Sequence, residues 1–327
     1  MPQIATLGNA LVDVLTKMDS DEPLCALGLL KGGMTHISEE KYASLYKKMQ
    51  ELPLQEATGG SAANTALCLA HLMEPGEVKY VGKLNPADRF GQFFARSLHA
   101  AGVDINVITA GEKSSGVCCA FVSPDGERTF ATYLGAAADM QAEELSEDMF
   151  QGVRIVHVEG YLVQNHALVL RAVEMAHAAG ALVSLDMASY NIVEADHAFF
   201  EHLLPQVDIV FANEEEANAW HPGTPEESLR SLASLCQIAV VKLGARGAWA
   251  QRGEEQVFGA AESIAHVVDT TAAGDFFAAG FLYALLCQRS LADCLHAGAY
   301  CASRVIQVLG TQLTPSMWQD IKTTLNP

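Results

Sequence analysis

Asp275 closes the run Asp269-Thr270-Thr271-Ala272-Ala273-Gly274-Asp275 and opens the apolar stretch FFAAGFLYALL. Small residues ahead of an apolar helix leave main-chain N–H groups uncovered, and a helix N-terminus adds roughly half a positive charge at that point. Together they make an anion site suited to a phosphate. A carboxylate beside a held phosphate can orient an attacking hydroxyl and accept its proton. Asp275 can equally be a first-turn acid that complements the helix dipole or caps free N–H groups, and the run by itself leaves both readings open. It is not a Walker loop, because Gly-x-x-x-x-Gly-Lys-Ser/Thr occurs nowhere in the chain.

Four other stretches carry groups of the same kind. GGSAANTALCLAHL, over 59–72, is a second small-residue turn entering a helix, with Gly60 in the turn and Ser61 and Asn64 as hydrogen-bond donors; it also fits a plain strand–helix turn. GNALVDV, over 8–14, sets Asn9 and Asp13 after an apolar strand. The two could hold a polyol by donating and accepting, or Asp13 could serve a turn. NEEEA, over 213–217, starts a helix. Glu214 and Glu215 suit its dipole, while Asn213 and Glu216 could hold water around a Mg²⁺. KLGARG, over 242–247, offers Lys242, Gly244 and Gly247, which could admit a nucleotide close to the backbone or simply turn a hairpin.

The elements that must position these groups alternate. Short apolar runs over 4–8, 78–82, 155–159, 182–186, 209–212 and 238–243 read as strands. Helical patterns cover 64–73, 91–101, 167–179, 214–220, 274–286 and 291–308. This alternation predicts an α/β fold with a parallel sheet flanked by helices. Polar or glycine residues follow nearly every strand (Asn9, Glu159-Gly160, Asp186, Asn213, Gly244), and ligands of open α/β sheets bind at that carboxyl edge. Segments 117–122 and 129–134 predict a hairpin turned by Pro124-Asp125-Gly126, and a second hairpin is expected over 248–258. Segment 15–37 shows no convincing helix. The hairpin and this segment leave the sheet and return to it, which suggests a small β lid over 15–37 and 105–134, the core comprising 1–14, 38–104 and 135–327. An edge hairpin with no moving part fits the pattern as well.

Composition bounds the function. The chain has 327 residues, half of them apolar, and a formal net charge of −19. That balance argues against general nucleic-acid binding, which needs basic patches, but not against an anionic nucleotide held by local amides. The eight cysteines include no Cys-x-x-Cys spacing and the histidines no His-Glu-x-x-His. Cys287, Cys294 and Cys301 recur every seven residues, as buried thiols on one helix face would. No signal peptide or membrane span is read, so a cytoplasmic location is expected.

Taken together the motifs resemble the ribokinase-like (PfkB) family of carbohydrate and nucleoside kinases over nearly the whole chain. GGSAAN is similar to the family's N-terminal signature, DTTAAGDFFAAG to its C-terminal one, and NEEEA to its Asn-x-x-Glu motif. The resemblance implies a central sheet with flanking helices and a small β lid, and ATP-dependent transfer of the γ-phosphoryl group to a primary hydroxymethyl group. It makes Asp275 the general base and the amides of Ala272, Ala273 and Gly274 an anion hole. Asn213 and Glu216 would organise Mg²⁺ and the phosphates through water. Lys242, Gly244 and Gly247 would border the nucleotide. Asp13, Gly60, Ser61 and Asn64 would grip the acceptor, with Asn9 nearby and Arg128 closing over substrate or phosphates. GNALVD and GERTFATYLGAA resemble the adenosine kinase branch, so an adenosine-like nucleoside is the expected acceptor, with a pentose or hexose as the alternative. Two departures stand out. Ala272 occupies a position where the family usually has Gly, and Ala disfavours positive φ. It is the one feature favouring a catalytically weak ligand binder. Lys242 stands where Thr is common, and could reach a phosphate or point to solvent. A dinucleotide oxidoreductase is set aside, because LGNALV lacks Gly-x-Gly-x-x-Gly. Dependence on a monovalent cation such as K⁺, and the choice between a monomer and a lid-mediated homodimer, stay open.

Overall fold

The computed structural model describes residues 2–125 and 127–325, so Gly126 of the expected turn lies outside the described residues. In chain order the strands are β1 (Ile4–Leu7), β2 (Leu11–Lys17), β3 (Met34–His36), β4 (Gln55–Gly59), β5 (Val78–Leu84), β6 (Asp104–Thr109), β7 (Gly116–Val122), β8 (Arg128–Tyr133), β9 (Ile155–Val158), β10 (Leu182–Asp186), β11 (Ile209–Asn213), β12 (Ile238–Lys242), β13 (Ala248–Arg252) and β14 (Glu255–Gly259). The α-helices are α1 (Glu22–Leu27), α2 (Glu39–Met49), α3 (Ser61–Leu72), α4 (Arg89–Ala100), α5 (His166–Ala178), α6 (Tyr190–Ala195), α7 (His197–Leu203), α8 (Glu214–Trp220), α9 (Pro225–Ala233), α10 (Ala273–Leu286), α11 (Leu291–Val305) and α12 (Pro315–Leu325).

The larger sheet runs β14-β13-β12-β11-β10-β9-β1-β5-β6. It is parallel from β12 to β6 and antiparallel at β13 and β14, the expected second hairpin. Its strands are apolar on both faces, as a sheet covered on both sides requires. Along β12, Ile238 and Val240 pack into the layer of α3, α4, α10, α11 and α12. Ala239 and Val241 pack into the layer of α5, α7, α8 and α9. The chain leaves β1 for β5 on one side and returns to β9 on the other, so the strand order reverses at β1 and opens a crevice at the carboxyl edge.

The smaller sheet is β3-β8-β7-β2-β4. β2 follows β1 after three residues and carries the chain off the large sheet, while β4 brings it back into α3. The lid sheet thus takes in 11–14 and 55–59, placed in the core from the sequence, and releases 105–109, placed in the lid, to the edge of the large sheet within β6. Segment 15–37 also holds a helix that the pattern did not show, α1. It has six residues with Pro23 at its start and stops at Gly28, too short for a periodic signal.

Helix α10 anchors the site. It is apolar all round and buried from Phe276 to Ala284, so it belongs to the core rather than the surface. Gly280 permits the close crossing of α10 and α11: a Cβ there would lie 2.3 Å from the carbonyl oxygen of Ala297. Cys294 and Cys301 are buried on α11, but Cys287 is exposed, because α10 ends at Leu286 and the seven-residue spacing spans a helix break.

Candidate active site

Asp275 lies in the first turn of α10, facing the first turn of α3. Ser61 Oγ donates to its Oδ1 at 2.6 Å and Asn64 Nδ2 to its Oδ2 at 2.9 Å. Thr65 Oγ1 donates to its main-chain carbonyl at 3.3 Å. These three residues stand at i, i+3 and i+4, one face of a helix. Gly60 makes the approach possible: its φ is 90° and a Cβ would lie 2.2 Å from the carbonyl oxygen of Asn9. Behind the site Trp318 of α12 stacks on His71 of α3 at 3.9 Å and on Phe276 at 5.8 Å, tying the two helices together. Burial pushes the Asp275 carboxyl up to about 6, against the bonds from Ser61 and Asn64. At neutral pH it is ionised and close to the ideal of a general base. A carboxylate has about four acceptor positions, so two remain for a hydroxyl. Asn64 Oδ1 is buried with no hydrogen-bond partner among the described residues.

The loop before Asp275 is held from two sides. Asp269 accepts from Thr271 N at 2.9 Å and from Gly310 N at 2.6 Å. Arg128, on lid strand β8, pairs with Asp269 at 2.6 Å and donates to Thr271 Oγ1 at 2.9 Å. Arg128 was expected over substrate or phosphates; here it ties β8 of the smaller sheet to the loop before Asp275. Ala272 takes φ 61° and ψ 7°, the left-handed conformation that glycine adopts freely, so this alanine meets the geometry instead of reshaping it. Ala273 N is turned inward to the carbonyl of Thr270 at 3.2 Å. Among the described residues, no bond is made to the N–H groups of Ala272 or Gly274, which leaves these two of the three expected amides for an anion.

Lys242 points inward rather than to solvent. Its ammonium meets Asp186 Oδ2 at 2.8 Å, with the side chains 14% and 12% exposed. Asn213 and Glu216 form a reciprocal cap on α8: Asn213 N and Nδ2 donate to Glu216 at 2.7 and 2.6 Å, and Glu216 N donates to Asn213 Oδ1 at 2.8 Å. Burial, helped by the charge of Asp186, pushes Glu216 up to about 7. No group of three His, Cys, Asp or Glu among the described residues could hold a metal ion directly. The hard oxygens of Glu216 retain lone pairs that fit a hydrated Mg²⁺ reached through water. Gly244 and Gly247 flank the turn from β12 to β13.

Asp13 lies on β2 of the smaller sheet, and burial pushes its carboxyl up to about 7 despite Arg128. On the same lid face Leu15, Ala57 and Ala120 form an apolar patch, with Phe130 of the lid and Leu309 of the larger unit packed on it. Asn9 does not face this space: its main-chain N donates to Glu159 at 3.2 Å and its side chain bonds the same carboxylate, which also accepts from Ala62 N at 3.0 Å. Glu159 thus pins both crossings between the sheets. Glu159 and Asp186 were placed at the carboxyl edge from the sequence and Asp269 at the head of the small-residue run, but none of the three was given a role. The signal for the first two was present, since each is an acid at the end of an apolar strand; Asp269 gave none beyond its place ahead of the small-residue run.

The fold belongs to the open α/β class that binds ligands where the strand order reverses, here at β1. A model of the pfkB family carbohydrate kinases matches residues 32–318. The chain belongs to that family, whose members use ATP. It is 29% identical to an adenosine kinase of Schizophyllum commune, covering 94% of this chain and 95% of that one. Among solved structures it resembles a probable sugar kinase of Rhizobium etli CFN 42 (34% identity, TM-score 0.88, 98% of each chain). It equally resembles the adenosine kinase of Sinorhizobium meliloti (32% identity, TM-score 0.88, 99% of each chain). No helix among the described residues is long and apolar enough to cross a membrane.

Proposed function

We propose that this kinase phosphorylates the primary hydroxymethyl group of a ribose-containing nucleoside of the adenosine type. The observation that carries the reading is the Asp275 carboxylate held by Ser61 and Asn64 at the mouth of α10, beside the free amides of Ala272 and Gly274. The acceptor hydroxyl gives its proton to Asp275 as its oxygen bonds to the γ-phosphorus. The bond from that phosphorus to the β–γ bridging oxygen breaks, and its electron pair leaves on ADP. Ala272 and Gly274 N–H groups receive the charge that spreads over the phosphoryl oxygens, where each such donor is worth about 3–4 kcal/mol. Asn64 Oδ1 and Asp13 offer acceptors for sugar hydroxyls. A hydrated Mg²⁺ on the phosphates, touched through water by Glu216 beside Asn213, would offset nucleotide charge.

A nucleoside is favoured over a free sugar by the likeness to named adenosine kinases. On the strand face of Asp13 the apolar Leu15, Ala57 and Ala120 are already covered by Phe130 and Leu309 and do not decide between the two. The test is ADP release with adenosine, inosine, ribose and fructose as acceptors. Adenosine or inosine should be turned over with the highest kcat/KM. A clear preference for ribose or fructose would replace this acceptor, and ligand-induced stabilisation without ADP would leave only a binder.

A further inference from the structure

Lys242 ends β12 and Asp186 ends β10, with β11 between them. Their backbones stand about 10 Å apart, two strand spacings. The lysine nevertheless leans across β11 to place its ammonium 2.8 Å from Asp186. It is also brought toward α10, because a Cβ on Gly274 would lie 3.1 Å from Nζ. The ammonium therefore sits over the first turn of the helix that carries Asp275. Burying such a pair gains little stability, since desolvation offsets attraction. A threonine at this position, with an uncharged partner at 186, would avoid that cost.

An ammonium carries three N–H donors. Asp186 takes one, and Nζ has no other hydrogen-bond partner among the described residues. Asp186 is itself steadied by Ala188 N at 3.0 Å. Burial works against the charge on Lys242, but Asp186, Glu216 and Asp275 hold its proton on. Arg128, the other recessed cation here, is taken up by Asp269 and Thr271.

We propose that Lys242 is a catalytic residue that binds the terminal phosphoryl group: Asp186 holds its ammonium from behind while its remaining N–H donors reach past Gly274 to a γ-phosphoryl oxygen. This rests on the kinase reading and adds to the main-chain amides a fixed side-chain cation. Lys242 keeps its proton throughout; the proton that moves passes from the acceptor hydroxyl to Asp275, the new oxygen–phosphorus bond forms, and ADP leaves with the electrons of the broken bond.

The test compares the binding of ADP and of β,γ-imido-ATP, each with Mg²⁺ and without acceptor, by titration calorimetry. Lys242→Met alone strands a buried Asp186, so the decisive protein is Lys242→Met/Asp186→Asn, which removes both charges. It should bind ADP within about threefold of wild type and lose imido-ATP affinity by about tenfold or more, as befits one charge-assisted hydrogen bond. Turnover should fall roughly a hundredfold. Unchanged affinities for both nucleotides would reduce Lys242 to a structural partner of Asp186. Equal weakening of both nucleotides would place it on the inner phosphates instead. The ratio is read without phosphoryl transfer, so it judges Lys242 even where the acceptor screen overturns the nucleoside reading.

Discussion

Asp275 carries the proposed chemistry, and its surroundings tell which changes the site tolerates. In Asp275→Asn the new amide can still accept from Ser61, and Asn64 can flip to present its unpartnered Oδ1. The substitution also removes a buried charge, whose desolvation already pushes the carboxyl up to about 6. The variant should therefore fold with an unchanged or higher Tm and lose about 10²–10⁴ in kcat; comparable turnover would refute the base. Ala272 is a second residue whose environment makes a forecast. In the left-handed region an alanine costs about 1–2 kcal/mol, and glycine gives back roughly 0.5–1 kcal/mol through the unfolded chain. Ala272→Gly should be neutral or up to about 1 kcal/mol more stable by urea unfolding, with turnover retained, whereas a β-branched Val should lose about 1–3 kcal/mol.

The elements matter through what they tie together. Helices α3 and α10 meet at Ser61, Asn64, Thr65 and Asp275, and the Trp318 stack backs that meeting from α12. Strand β8 meets the loop before α10 through Arg128, 10% exposed, and Asp269, 1% exposed. Arg128→Ala would leave Asp269 buried with only Thr271 and Gly310 N–H as partners, and such one-sided loss costs about 3 kcal/mol. The same variant frees both the lid and the loop that presents Ala272 and Gly274. Denaturant unfolding should show the stability loss and steady-state kinetics a drop in kcat/KM for every acceptor alike. An effect confined to one acceptor would make Arg128 a specificity residue rather than a strap.

The whole molecule stores its acidity unevenly. Burial pushes Asp13 (ordinarily 3.8), Glu159 and Glu216 (4.5) up to about 7, and Asp275 (3.8) to about 6. Each of these binds its proton more tightly folded than unfolded, so the folded state loses stability as pH rises from those ordinary values through about 6–7. Asp186 runs the other way: burial would raise it, but Lys242 outweighs burial and holds it down, and its contribution disappears as pH falls through its lowered value. Tm should accordingly be higher at about pH 5.5 than at pH 8 and fall again below about pH 4. Catalysis should move oppositely, kcat/KM rising with pH across about 6 as Asp275 ionises. Thermal melts and pH–rate profiles on one preparation check both, and a Tm that climbs from pH 5.5 to 8 would contradict the buried-acid assignment.

Much of this was written locally. Short apolar runs marked the parallel strands and helical patterns the helices between them, and the small-residue turns at 59–61 and 270–274 marked the mouths of α3 and α10, because φ-permissive residues and bare amides are properties of a few neighbouring positions. What lay beyond reach depended on side chains that meet from distant strands. Ser61 and Asp275 are 214 residues apart, Lys242 and Asp186 56, Arg128 and Asp269 141. The sheet order that makes β10 and β12 near neighbours cannot be read from strand propensity. Nor can the turning of Asn9 to Glu159, of Ala273 N to Thr270, or of Lys242 into the interior. Sequence determined which groups were available and the elements that bear them. Tertiary packing decided which carboxylates were buried, and so which are protonated, paired or free to act, because desolvation and Coulomb attraction depend on distances that the chain order does not contain.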